Sequence, residues 1–272
     1  MNRSLLSGPS FEFRAGTAPL LVSMPHVGTE IPARMQGRLS PACVPLGDTD
    51  WHLPRLYDFV QELGASVLTA RYTRFAVDLN RPPDDTPLYT SATTGLHPDI
   101  LFDGTPAFNE GHGLTEEERT CFLGDIWQPY HACIANELAR TRSRYGYALL
   151  FDAHSIASEI PRLFEGRLPD FNLGTADDKS ADSALTMRLA AVLSDAPQYR
   201  LAVNGRFKGG YITRHYGRPD ENVHAVQLEL AQRTYMREEM PYDYLPELAD
   251  HVQPVLRRFV RTLLDWGLER YC

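Results

Sequence analysis

Four short stretches of the chain gather residues that carry protons or bind metals. They are Pro25-His26-Val27-Gly28-Thr29-Glu30, Asp78-Leu79-Asn80-Arg81, Asp152-Ala153-His154-Ser155 and Gln227-Leu228-Glu229-Leu230. A catalytic zinc takes three nitrogen or oxygen ligands from protein and keeps one position for water. Two imidazoles and several carboxylates therefore suffice for metal-assisted hydrolysis. His26 follows an apolar run and precedes a glycine, where a ring can point into a cleft; a loop histidine capping a turn reads the same. His154 follows Asp152, a carboxylate able to fix the tautomer of a ligating ring. Strand alternation puts Gln227 and Glu229 on one face and Val226, Leu228 and Leu230 on the other. That suits a catalytic base, and equally a solvent-facing glutamate on an edge strand. Arg81 can clamp a carboxylate with two parallel hydrogen bonds, or form a surface salt bridge. In Asp48-Thr49-Asp50, capping of a helix and coordination of a metal compete for the same oxygens. The glycine-rich run 204–214 carries Arg206, Lys208 and Arg214 and could close over an anion; a flexible hairpin is the plainer alternative.

These residues need elements to hold them. Residues 19–24, 66–70, 74–80, 147–151 and 225–230 have the apolar, β-branched character of strands. A helix is expected over 51–64, with Leu53, Leu56, Val60 and Leu63 at helical spacing, Asp50 as its cap and Gly64 as its stop. Thr115 and Glu118 form a capping box. From there Phe122, Ile126, Tyr130, Ile134 and Leu138 recur at steps of four along a helix that Pro129 should kink. Further helices are expected near 180–193 and over 245–268, the latter broken near Pro254. Residues 81–113, rich in proline, glycine, aspartate and threonine, read as a long loop. Strands alternating with helices predict a single α/β domain over 1–272, with a mixed, largely parallel sheet flanked by helices. Ligands in such sheets collect at the carboxyl ends of strands.

A length of 272 residues, 43% hydrophobic and 23% charged, is ordinary for a globular chain with a substantial core. The net charge of −8 argues against nucleic acid or an anionic membrane as partner. No run approaches a membrane span, and residues 1–16 lack the apolar stretch of a signal peptide. The four cysteines form no C-x-x-C pair, so reduced thiols in the cytoplasm are expected.

In order, these segments resemble the N-formylglutamate amidohydrolase family. The stretches that carry the resemblance are PHVGTEIP at 25–32, DTDWHLPRLYDF at 48–59, RYTRFAVDLNRPPDD at 71–85 and LFDAHSIASEIPRLFEGRLPDFNLGT at 150–175. NGRFKGGYITRHYG at 204–217 and VHAVQLELAQRTYM at 223–236 complete it. The shorter pattern of His, Asn-Arg, His and late Glu is similar to that of the zinc carboxypeptidase and aspartoacylase superfamily. The resemblance implies zinc-dependent cleavage of the formamide of N-formyl-L-glutamate, within histidine degradation. It implies one zinc per chain, or another divalent ion, on His26 and His154, with Glu229 as general base. Asn80 and Arg81 would bind a substrate carboxylate, and Arg74 matches a further substrate arginine of aspartoacylase. In the basic run, Arg214 would bind the second carboxylate, with Lys208 and Tyr211 beside it. The superfamily's first motif is H-x-x-E, whereas Glu30 here follows His26 after three intervening residues. Similarity to more distant family members favours Asp50 as third ligand, with Glu30 as runner-up.

Other N-acyl amino acid amidohydrolases or a small carboxypeptidase would use the same parts. A non-catalytic protein binding acidic amino acids is a reading of another class. A serine hydrolase built on Ser23 or Ser155 is disfavoured by the lack of a G-x-S-x-G elbow.

Overall fold

The computed structural model describes Leu6 and residues 8–88 and 92–272. Seven strands form one sheet in the order β1-β3-β2-β4-β7-β5-β6. The strands are β1 (Phe11–Arg14), β2 (Leu20–Met24), β3 (Ser66–Ala70), β4 (Ala148–Ile156), β5 (Phe171–Gly174), β6 (Leu201–Val203) and β7 (Val223–Ala231). The β3-β2-β4-β7 centre is parallel, whereas β1 on β3 and β5 on β7 are antiparallel. Strands β2, β4 and β7 are buried along their whole lengths, as expected for parallel strands covered on both faces.

Helices α1 (Leu53–Leu56), α4 (Ser183–Ser194) and α6 (Pro246–Tyr271) cover one face. There Leu56, Leu189 and Phe259 share a core with Val22, Phe151, Val226 and Leu228. Helices α2 (Glu116–Phe122) and α3 (Gln128–Tyr145) cover the other, packing Phe122, Tyr130 and Ile134 with Leu21, Leu150 and Ala225. The short α5 (Tyr211–Tyr216) follows the glycine-rich run. Alternation does the sorting. Leu149, Phe151 and Ala153 of β4 enter the first core, while Ala148 and Leu150 enter the second. Continuing that second row brings Asp152 and His154 onto the α3 side, and β7 brings Gln227 and Glu229 there likewise.

Several sequence expectations need correction. The helix over 51–64 shrinks to α1 and a 3-10 turn at Asp58–Val60. Its cap is His52, at φ 64°, with no side-chain cap hydrogen bond. Asp50 does not cap because its carboxylate meets His154. Residues 74–80 are turns, not a strand. Arg74 and Asp78 pair across one turn, and Asn80 N–H donates to Asp78 Oδ1; extended backbone would separate the first pair. His154 lies inside β4 rather than after it. Helix α6 passes Pro254 unbroken. The carbonyl denied a partner is that of exposed Asp250, which water can satisfy. The capping box at Thr115 is formed, and a π-turn at Leu123–Trp127 precedes Pro129 in the first turn of α3.

Candidate active site

His26 stands in the turn leaving β2, His154 on β4, and Asp50 in irregular chain ahead of α1. Asp50 N–H donates to His26 O at 3.0 Å, which ties two of these segments together. The His26 and His154 ring centroids are 4.9 Å apart. Asp50 Oδ2 lies 3.0 Å from His154 Nδ1 and 3.9 Å from His26 Nδ1. One ligand atom from each residue falls within 4.8 Å of the others, and all three side chains are buried.

The far edge of each ring meets a carboxylate. His26 Nε2 is 2.8 Å from Asp78 Oδ1, and His154 Nε2 is 3.0 Å from Asp152 Oδ2. Asn80 Nδ2 is 3.0 Å from the same Asp152 oxygen. A carboxylate only accepts, so Asn80 and His154 both donate to it. In the neutral tautomer with the proton on Nε2, each ring would offer its Nδ1 lone pair to an ion beside Asp50; His154 Nδ1 itself faces the Asp50 carboxylate at 3.0 Å. A carboxylate on the far ring nitrogen is the arrangement that orients metal-ligating histidines.

The electrostatics favour a cation. Asp50, Asp78, Asp152 and Glu229 are buried together, while Arg74 is the buried arginine among the described residues of this cluster. Arg74 Nη2 donates to Asp78 Oδ2 at 2.5 Å. Burial opposes ionisation of Asp78, but Arg74 and His26 outweigh it and hold the carboxyl well below the usual range. Burial and then Arg74 lower His26, favouring the neutral, ligating ring. Burial also opposes charge on His154, yet Asp152 and Asp50 raise its pKa well above that of a free imidazole. Excess buried negative charge is costly unless paired. Nitrogen and oxygen donors with such charge fit zinc.

Glu229 sits opposite His154 in the β4–β7 register. Burial raises its carboxyl above the ordinary value against the pull of His154. Gln227 Nε2 donates to Glu229 Oε2 at 3.2 Å, and Gly210 N–H fixes Gln227 through Oε1 at 2.7 Å. These residues open into a cleft of about 580 Å³. Arg74, Arg81 and Arg206 line it with Asn80, Thr93 and Thr94, and Phe102, Ile156, Leu163 and Phe207 add apolar wall. Arg81 is oriented by Thr94 O, Asn80 O and Thr93 Oγ1 at 2.7, 3.0 and 3.1 Å. Arg206 donates to Leu163 O and Ala92 O, each at 2.8 Å.

The cleft thus gathers His26, Asp50, His154, Glu229, Asn80, Arg81 and Arg74. Other sequence candidates lie elsewhere. Glu30 pairs with Arg71 and does not line the cleft. Lys208 pairs with Asp177 at the surface, Arg214 is exposed with Nε on Gly209 O, and Tyr211 stacks on His215. Of the basic run's three cations, Arg206 lines the cleft. Sequence reasoning gave no role to Asp78, Thr93, Phe102 or Phe207. For Asp78 a signal existed, since an acid two residues before Asn80 can bond back to that backbone N–H.

Comparisons with known proteins bear on the family and the fold. A family model described as N-formylglutamate amidohydrolase matches residues 18–236. The chain is 57% identical over 259 residues to an N-formylglutamate deformylase of Pseudomonas aeruginosa, covering 95% of this chain and 97% of that one. It is 54% identical over 259 residues to an N-formylglutamate deformylase of Pseudomonas putida, with the same coverage of 95% and 97%. Among solved structures, an N-formylglutamate amidohydrolase from Ralstonia eutropha JMP134 superposes with TM-score 0.79 at 23% identity, over 96% of this chain and 98% of that one. A gene product of Agrobacterium tumefaciens superposes with TM-score 0.72 at 18% identity, over 97% and 96%. At those identities the two structures speak for a shared fold.

Proposed function

The chain belongs to the N-formylglutamate amidohydrolase family, and on that premise we propose that it hydrolyses N-formyl-L-glutamate to formate and L-glutamate with a zinc ion on His26, Asp50 and His154. The reading is carried by one observation: three buried ligand atoms within 4.8 Å of one another, in a cleft that also holds Glu229 and three arginines. Bound zinc supplies a Lewis acid and brings the pKa of water from about 15.7 towards roughly 7. Glu229 takes the proton of the attacking water as the new C–O bond forms at the formyl carbon. It then gives that proton to the glutamate nitrogen as the C–N bond breaks. Gln227 holds Glu229 in place through both steps. Asp78 and Asp152 keep each ring's Nε2 protonated, so Nδ1 stays available to the metal.

Two carboxylates of the substrate call for two cations. Arg81 takes one, its guanidinium already oriented by neutral acceptors. Arg206 takes the other in place of Arg214, because Arg206 lines the cleft and Arg214 does not. Arg74, engaged with Asp78, adds positive charge close to the ligands. Membership of the family supports a place in histidine degradation, and four unpaired cysteines suit a cytoplasmic setting. A panel of N-formyl and N-acetyl derivatives of glutamate, glutamine and aspartate, assayed for formate and acetate, tests the substrate. N-formylglutamate should exceed N-formylglutamine by orders of magnitude, since the neutral amide leaves a cation unmatched. Equal turnover of the two would reject the two-cation reading.

A further inference from the structure

Of the three triad residues, Asp50 has the least support from its own element. His154 is inside β4 and His26 stands two residues beyond the end of β2, while Asp50 lies in irregular chain. A site built on loop backbone is held less closely than one on a strand. Asp50 also has a competing use nearby, because the first turn of α1 has no side-chain cap. Something must keep the carboxylate turned toward the histidines.

The carbonyls of the residues before and after Asp50 are both held from outside the segment. Gln232 Nε2 donates to Thr49 O at 2.9 Å. The Tyr235 hydroxyl donates to Trp51 O at 2.9 Å. Both side chains are buried, Gln232 at 2% and Tyr235 at 0% exposure. They meet at Ser155, whose Oγ is 2.7 Å from Tyr235 Oη and 3.4 Å from Gln232 Nε2. Ser155 follows His154 in β4, and Gln232 directly follows β7, the strand of Glu229. One network therefore joins the loop of Asp50 to the strand of His154 and the strand of Glu229. A carbonyl only accepts, so the phenol proton goes to Trp51 O and the Ser155 hydroxyl donates to Tyr235.

We propose that Gln232 and Tyr235 are positioning residues that clamp the carbonyls of the residues before and after Asp50 and so present its carboxylate to the metal. The proposal rests on the reading of Asp50 as a ligand. Zinc dissociation constants, measured by chelator competition, test it in the wild type, Tyr235→Phe, Gln232→Met, Asp50→Asn and the double variants Tyr235→Phe/Asp50→Asn and Gln232→Met/Asp50→Asn. Thermal midpoints of the metal-free proteins are read alongside. Each clamp substitution should weaken zinc by roughly 10–100-fold, as loss of an orienting partner does. The same substitution should have almost no effect once Asp50 is Asn, because the clamp acts through that carboxylate. A purely structural role would lower the metal-free midpoint and weaken zinc equally in both backgrounds. Unchanged zinc affinity in both single variants, or an equal loss in the Asp50→Asn background, overturns the clamp alone. Wild-type affinity in Asp50→Asn would instead remove Asp50 from the ligand set, and the clamp with it. Should Tyr235→Phe fail to fold, Gln232→Met carries the same comparison.

Discussion

At the scale of single residues, the account turns on which atoms can move a proton and which hold a ring still. Glu229→Gln keeps the size and the contact with Gln227 but cannot accept a proton. It should retain zinc and substrate affinity and lose about 10²–10⁴-fold in turnover, read as formate release beside zinc content; near-normal turnover removes Glu229 as the base. Asp78→Asn tests the ring of the proposed ligand His26. It should weaken zinc by roughly 10–100-fold, measured by chelator competition, because Asp78 faces His26 Nε2 at 2.8 Å. His26, His154 and Glu229 were legible in sequence since each adjoins or interrupts an apolar strand. Asp50 was legible only as one of two uses of the same carboxylate, cap or ligand. The turn that joins Asp78 to both Arg74 and His26 was hidden, because Phe75, Val77 and Leu79 gave the segment a strand-like composition. Arg206 could not be told from Lys208 or Arg214, because nothing local says which cation of a loop faces inward.

At the scale of elements, close approach and core packing hold the site. A Cβ on Gly210 would fall 2.4 Å from Asn80 Nδ2. Gly210→Ala should therefore push Asn80 from Asp152 and lower turnover well beyond its effect on stability. Turnover and the urea midpoint together check this; wild-type turnover would show that Asn80 can yield. On the opposite face, Phe259 of α6 is fully buried and meets the Phe151 ring at 5.3 Å. Phe259→Ala should cost about 3–5 kcal/mol in urea unfolding. Strands β2, β3, β4 and β7 were readable from apolar composition and the capping box from two side chains, whereas β1, β5 and β6, of three or four residues each, are too short to carry a pattern. The short α1 was not readable, since its leucines keep helical spacing while His52 at φ 64° and Pro54 set a late start.

At the scale of the molecule, the candidate ligands stand at positions 26, 50 and 154, so an ion held there would join segments far apart in sequence around the neighbouring strands β2 and β4. The topology that brings them together was legible only as a class, because strand order depends on crossovers that no local pattern records. Zinc should bind the folded chain and not the unfolded one. At about a thousand times its dissociation constant it should add about 4 kcal/mol, a rise of roughly 7 °C in thermal midpoint. Calorimetry with and without chelator reads this directly, and identical midpoints would separate the ion from the fold.

The most direct test is formate release by chelated protein as zinc is returned stepwise, with bound metal counted in the same samples. Activity should be lost on chelation, return in proportion to bound zinc and level off at one ion per chain. The His154→Ala protein should neither bind the ion nor recover. Full activity in metal-free protein, or recovery of His154→Ala to the wild-type level, would contradict a catalytic ion held by His26, Asp50 and His154 beside Glu229.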